Sequence, residues 1–139
     1  IEGEPNHIRF SHSRWPVLGH IIAASLFSVL GALQFESDLR RNWRRWHRYA
    51  GRVLVLCGLL TAATGIWMTL RYAIQPQLQG RLRYWVRLAV GSSMGLALVL
   101  GVRAIRGGDG SAHQAWMMRA YALAQVAGTQ AQALLLLVP

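Results

Sequence analysis

The sequence has no lysine, one cysteine and five acidic residues, and each scarcity removes a class of protein. A single thiol, Cys57, can form neither an internal disulfide nor a thiolate cluster, and inside an apolar run it reads as a small packing residue. Charged residues make up 14% of the chain, where a soluble domain carries about a quarter. There is no Walker loop, no dinucleotide glycine fingerprint, no GxSxG and no pair of catalytic carboxylates, so nucleotide or hydrolase chemistry of the soluble type is not supported. The first residues have no basic region leading into an early apolar run, so they do not read as a signal peptide.

What is present is apolar length and arginine. Hydrophobic residues account for 53% of the chain, and fifteen arginines bring the net charge to +10 with a pI near 11.6. Such a pI raises nucleic acid as a partner, but the arginines sit at the ends of apolar runs, where they anchor helices to headgroups, so no nucleic-acid role is expected. The run Val53 to Leu70 has no charged residue, and at about 1.5 Å per residue its length of roughly 27 Å approaches the hydrocarbon thickness of a bilayer. Similar runs predict an all-α polytopic membrane protein, four transmembrane helices in an up-down bundle. The spans are expected at about 17–35, 50–70, 84–103 and 113–138, after a polar segment 1–16. The start at Ile1 and the stop at Pro139, directly after an apolar run, read as a piece of a longer protein with a further helix at an end.

Four alternating spans put the arginine-rich loops 36–52 and 103–119 on one side of the membrane. Nine arginines lie there (40, 41, 44, 45, 48, 52, 103, 106 and 119) against six opposite (9, 14, 71, 81, 83 and 87), so this side is expected to be cytoplasmic. The remaining connection, Arg71 to Arg83, contains Pro76 and Gly80 and reads as a surface loop.

His47 and His113 open the second and fourth spans at this same face. On a helix advancing about 100° per residue, Gly51, Gly58 and Gly65 follow His47 along one line, and Met117, Ala120, Ala124 and Ala127 follow His113. In an up-down bundle these helices are diagonal, so two imidazoles face each other above walls of small residues. That is the donor set of a bis-histidine b-type haem, with Arg48, Arg52 and Arg119 as candidate propionate partners. The plain alternative is that histidine, tryptophan and arginine are interfacial residues and small-residue faces are helix contacts. Glu36, Asp38 and Asp109 lie at the same face and raise a mixed carboxylate and histidine metal site, without the local regularity of a metal motif. His20 lies at the opposite face and reads as a packing or hydrogen-bonding residue. Gln125, Thr129 and Gln132 form a polar stripe that either bonds neighbouring helices or contacts a quinone headgroup. Asp109 and Ser111 are placed to cap the fourth span.

The segments HIIAASLFSVLGALQF, WHRYAGRVLVLCGLLTAATGIWMTL and HQAWMMRAYALAQVAGTQ resemble the bacterial multi-pass membrane proteins grouped as domain of unknown function 2306. The likeness runs from about His20 to Gln132 and is carried best by WHR-x-x-GR and H-x-x-WM-x-R. It implies a helical membrane domain, singles out His20, His47, His113, Trp116 and Arg119 as motif positions, and supplies no reaction. Two classes of function follow. One is an electron-transfer module with haem b, exchanging electrons with a quinone or a partner protein. The other is a cofactor-free accessory or structural subunit of a larger respiratory or photosynthetic complex, and in neither case is the chain expected to be an enzyme by itself.

Overall fold

A computed structural model describes residues 14–71 and 80–137, with side chains described through Thr129. Every regular element among these residues is a helix: α1 (Arg14–Gln34), α2 (Ser37–Asn42), α3 (Arg44–Arg71), α4 (Arg81–Arg106) and α5 (Gly110–Leu137). Pro16 sits in the first turn of α1, where its missing N–H costs no hydrogen bond. α1, α3 and α4 are long and apolar enough to cross a membrane. The 28 residues of α5 would cover about 42 Å, beyond the roughly 30 Å of a hydrocarbon core.

Helices occupy all four expected segments, three of them long and apolar enough to cross a membrane, and their ends differ from those expected. The segments at 36–52 and 103–119 are mostly helix rather than loop. Ser37–Asn42 forms the short rim helix α2, and α3 begins at Arg44 through the carbonyl of Trp43, which accepts from the N–H of His47 at 3.0 Å. Arginine is a good helix former, so the backbone stays helical where hydropathy stops. At the other connection only Gly107, Gly108 and Asp109 lie between α4 and α5. The expected surface loop between Arg71 and Arg83 is cut back to Gly80 by helical ends, and its positions 72–79 lie outside the described residues, as do positions 1–13 of the polar segment.

The helices run antiparallel in succession. α1 meets α3 at His20 with Thr64 and at Gln34 beside Gly51, α3 meets α4 at Gly58 with Leu98 and at Gly91 with Ile66, and α5 touches α1 through Tyr121 and Ser28. The core is small and central, with Phe27 and Leu98 almost fully buried and Leu54, Ala62, Met94, Ala97 and Ala120 around them. Both Phe27 and Leu98 land on Gly58, where a Cβ would stand 2.6 Å from the phenyl ring and 2.8 Å from the leucine methyl. Lipid is as apolar as leucine, so these helices are held by close van der Waals fit, which the missing side chain allows. Outside the core the surface is greasy: Leu56, Val29, Leu96 and Ile22 are all more than half exposed. Thr61, Thr64, Thr69 and Thr129 bond their hydroxyls to carbonyls of their own helices, which spares an apolar surrounding an unpaired donor.

Candidate functional site

The site is built by a three-residue turn. Gly108 adopts φ +82°, the left-handed conformation that ends helices. The N–H of Asp109 donates to the carbonyl of Ala104 and that of Gly108 to Ile105, which satisfies the last carbonyls of α4. Asp109 then starts α5: its carboxylate accepts from the N–H of Ala112 at 2.9 Å and from the Ser111 hydroxyl at 2.8 Å, as the sequence predicted for this pair. These two bonds hold the Asp109 carboxyl below the usual carboxylate range. One turn on, the N–H of His113 donates to the Asp109 carbonyl, and its ring Nδ1 meets the carbonyl of Gly101 at 2.8 Å. A carbonyl only accepts, so Nδ1 carries the proton and Nε2 presents its lone pair.

His47 closes the first turn of α3, half-buried, with His113 and Arg40 both within electrostatic range. Its Nδ1 is shielded from solvent and has no hydrogen-bond partner among the described residues. One other described side chain shares that condition at this rim. Gln34, the last residue of α1, is 8% exposed, has a buried Nε2 without a partner, and brings its Oε1 to within 3.9 Å of where a Cβ on Gly51 would stand. Leaving such a group unpaired costs about 1–3 kcal/mol, so two together at one rim mark a place where polar groups are unspent. Gln34 was missed by sequence reasoning, which located it only near the end of a span. The signal was a glutamine on the face α1 turns to the bundle, in line with Phe27 and Gly31.

The structure thus places Gly51 and Gln34 on the side of α3 that bears His47, with His113 within electrostatic range of that ring. It does not bring the other candidates to them. Gly58 lies deeper, in the core beneath Phe27 and Leu98. Arg48 and Arg52, with Arg45 and Tyr49, line a separate cavity of about 380 Å³ on the flank of α3, turned by about 100° or more from His47 on the helix. Arg119 lies over the ring of Trp116 at 4.5 Å and lines a groove between α4 and α5. Among the described residues no three of histidine, cysteine, aspartate and glutamate gather as metal ligands, so Glu36, Asp38 and Asp109 do not join the histidines.

His20 is held in the opposite half. Thr64 gives its proton to the Leu60 carbonyl, and its oxygen accepts from His20 Nδ1 at 2.8 Å. Gln125 donates to the Ser28 hydroxyl at 3.2 Å beside the bond from the Tyr121 hydroxyl to the Ser28 carbonyl, so this part of the polar stripe ties α5 to α1. The side chain of Gln132 lies outside the described residues.

Two imidazoles at one rim, one with its tautomer fixed by a backbone carbonyl, form the arrangement by which proteins prepare histidine ligands, since the second ring nitrogen sets the orientation of the first. A b-type haem takes that donor set. The donor types suit such a group, and among the described residues the wall at Gly51 has only the Gln34 amide near it. The groove below does not continue as open space, because Phe27 and Leu98 cover Gly58 and Met117 covers Gly101. Any such group is therefore confined to the rim.

A family model described as predicted membrane protein (DUF2306) matches residues 17–139. No curated protein and no solved structure matches the chain.

Proposed function

The chain belongs to that family of membrane proteins, and from this premise we propose that it is an electron-transfer module whose His47 and His113 hold one b-type haem at the arginine-rich rim. The observation that carries the reading is the His47 nitrogen, buried and unpartnered, within range of a second imidazole whose proton is fixed on Gly101. Haem supplies one-electron transfer when bound. The chain's own part is positional. Gly101 orients His113, the Asp109 cap sets its height, Gly51 keeps the wall beside His47 bare, and Phe27 with Leu98 closes the floor. Of the arginines, Arg40 lies within range of His47 and takes the propionate-pairing role better than Arg48, Arg52 or Arg119. The reading includes α5 as a fourth span, a bacterial inner membrane with the arginine-rich rim cytoplasmic, and a quinone or partner protein as the electron source or acceptor.

A second reading, the cofactor-free accessory subunit of a larger respiratory or photosynthetic complex, is favoured by the packed groove over Gly58 and by the apolar flanks. The visible spectrum of the purified protein separates the two. The haem reading expects a reduced b-type band that disappears in His47→Ala and in His113→Ala and survives in His20→Ala. A folded, colourless protein supports the second reading and overturns the first.

A further inference from the structure

We propose that the groove between α4 and α5 binds one anionic phospholipid, with its phosphate on Arg119 and an acyl chain along Leu96, Leu123 and Val126. The groove has a volume of about 500 Å³, its walls are apolar, and Arg119 with Trp116 forms its polar end. Arg119 lies six residues beyond His113, roughly 9 Å further along the helix, and is exposed on the flank that the bundle turns to lipid.

A guanidinium on that flank is costly unless an anion meets it. The acids among the described residues are Glu36, Asp38 and Asp109, all at the rim, and no ion pair to Arg119 forms among the described residues. Its partner is the face of Trp116, over which its Cζ stands, and its N–H groups make no hydrogen bond among the described residues. Side chains on a helix lean toward its N-terminus. Arg119 therefore reaches back over Trp116, three residues nearer the rim, and lifts its charge by roughly 4–5 Å toward headgroup level. A phosphate accepts two parallel hydrogen bonds from such an edge.

Charge selects among the lipids. Arg103 and Arg106 end α4 at the same rim, exposed, and the chain carries +10 overall, so headgroups with net negative charge gather there. Small residues make the chain channel: Ala97 and Ala122 lie between the larger walls and let a methylene chain approach the helix backbones.

The test uses the full chain in vesicles of phosphatidylcholine doped with a small fraction of brominated-chain phosphatidylglycerol or brominated-chain phosphatidylcholine. Trp116 emission is taken as the difference between the protein and its Trp116→Phe variant. The expected result is about a fivefold preference for quenching by the phosphatidylglycerol, the scale of one basic residue near a membrane surface. The preference falls several-fold in Arg119→Gln, to the small remainder that Arg103 and Arg106 sustain, and largely returns in Arg119→Lys. Ala122→Phe, which fills the groove and keeps the charge, lowers it to the same remainder, and provides the test where Arg119→Gln fails to fold. Equal quenching by both lipids, an undiminished preference in Arg119→Gln or Ala122→Phe, or a Trp116 that neither lipid reaches because a second copy covers the groove would each overturn the proposal.

Discussion

At the scale of single residues, Gly58 decides how closely α1, α3 and α4 approach. A methyl group there must displace the Phe27 ring on one side and Leu98 on the other, and both are locked in the core. Overpacking of this kind costs about 1–3 kcal/mol, so Gly58→Ala is expected to lower unfolding stability in detergent titration by that amount. Among the described residues nothing stands within 4 Å of where a Cβ on Gly128 would go. Gly128→Ala is therefore expected to shift the same titration the other way, by about 0.5–1 kcal/mol, through helix propensity alone. The contrast separates glycine as a contact surface from glycine as a weak helix former. The line of glycines below His47 was legible in the sequence, but what fills it was not. A period of 3.6 says which residues share a face, and it is silent on whether the neighbour presents a phenyl ring or a space.

At the scale of elements, the turn at Gly107, Gly108 and Asp109 links the two helices that bear Gly101 and His113. The folded Asp109 carboxyl titrates below its ordinary range because Ala112 and Ser111 donate to its charged form. A depressed carboxyl contributes stability that is present above the ordinary value and is lost as pH falls through the depressed one. Asp109→Ala should therefore lower the thermal midpoint at neutral pH. Its deficit relative to the unsubstituted protein should begin to shrink as the pH falls below about 4, where the unfolded carboxyl takes up its proton, and should be lost once the pH has passed through the depressed native value. An undiminished deficit under acid would refute the charge-assisted cap. The cap was readable because aspartate before a glycine, serine and alanine start is a strong local signal. The bond from His113 to Gly101 was not, because its partner is a backbone carbonyl and no side chain announces it. α3 carries the opposite lesson. Arg44, Arg45 and Arg48 stand at its N-terminal end, where the helix dipole disfavours cations, so a membrane surface accounts for them better than helix stability does.

At the scale of the whole molecule, the order of the helices and their antiparallel succession were legible, because uninterrupted apolar runs separated by arginine have few other solutions. Sidedness is a separate matter and is open to direct measurement. In a Cys57→Ala background, Ser111→Cys is expected to react with a membrane-impermeant maleimide only in inverted vesicles, and Gly80→Cys only from the periplasmic side. The reverse pattern would turn the arginine-rich rim outward. The contacts between helices also imply an order of assembly. Among the helices that precede it, α3 has its main neighbour in α1, α4 in α3, and α5 in α4, so each arriving segment finds its dock already in the bilayer. Among the described residues, the seam where Tyr121 and Gln125 reach Ser28 joins α1 to α5, which makes that junction the last to close during biogenesis and the first to part under a harsh detergent.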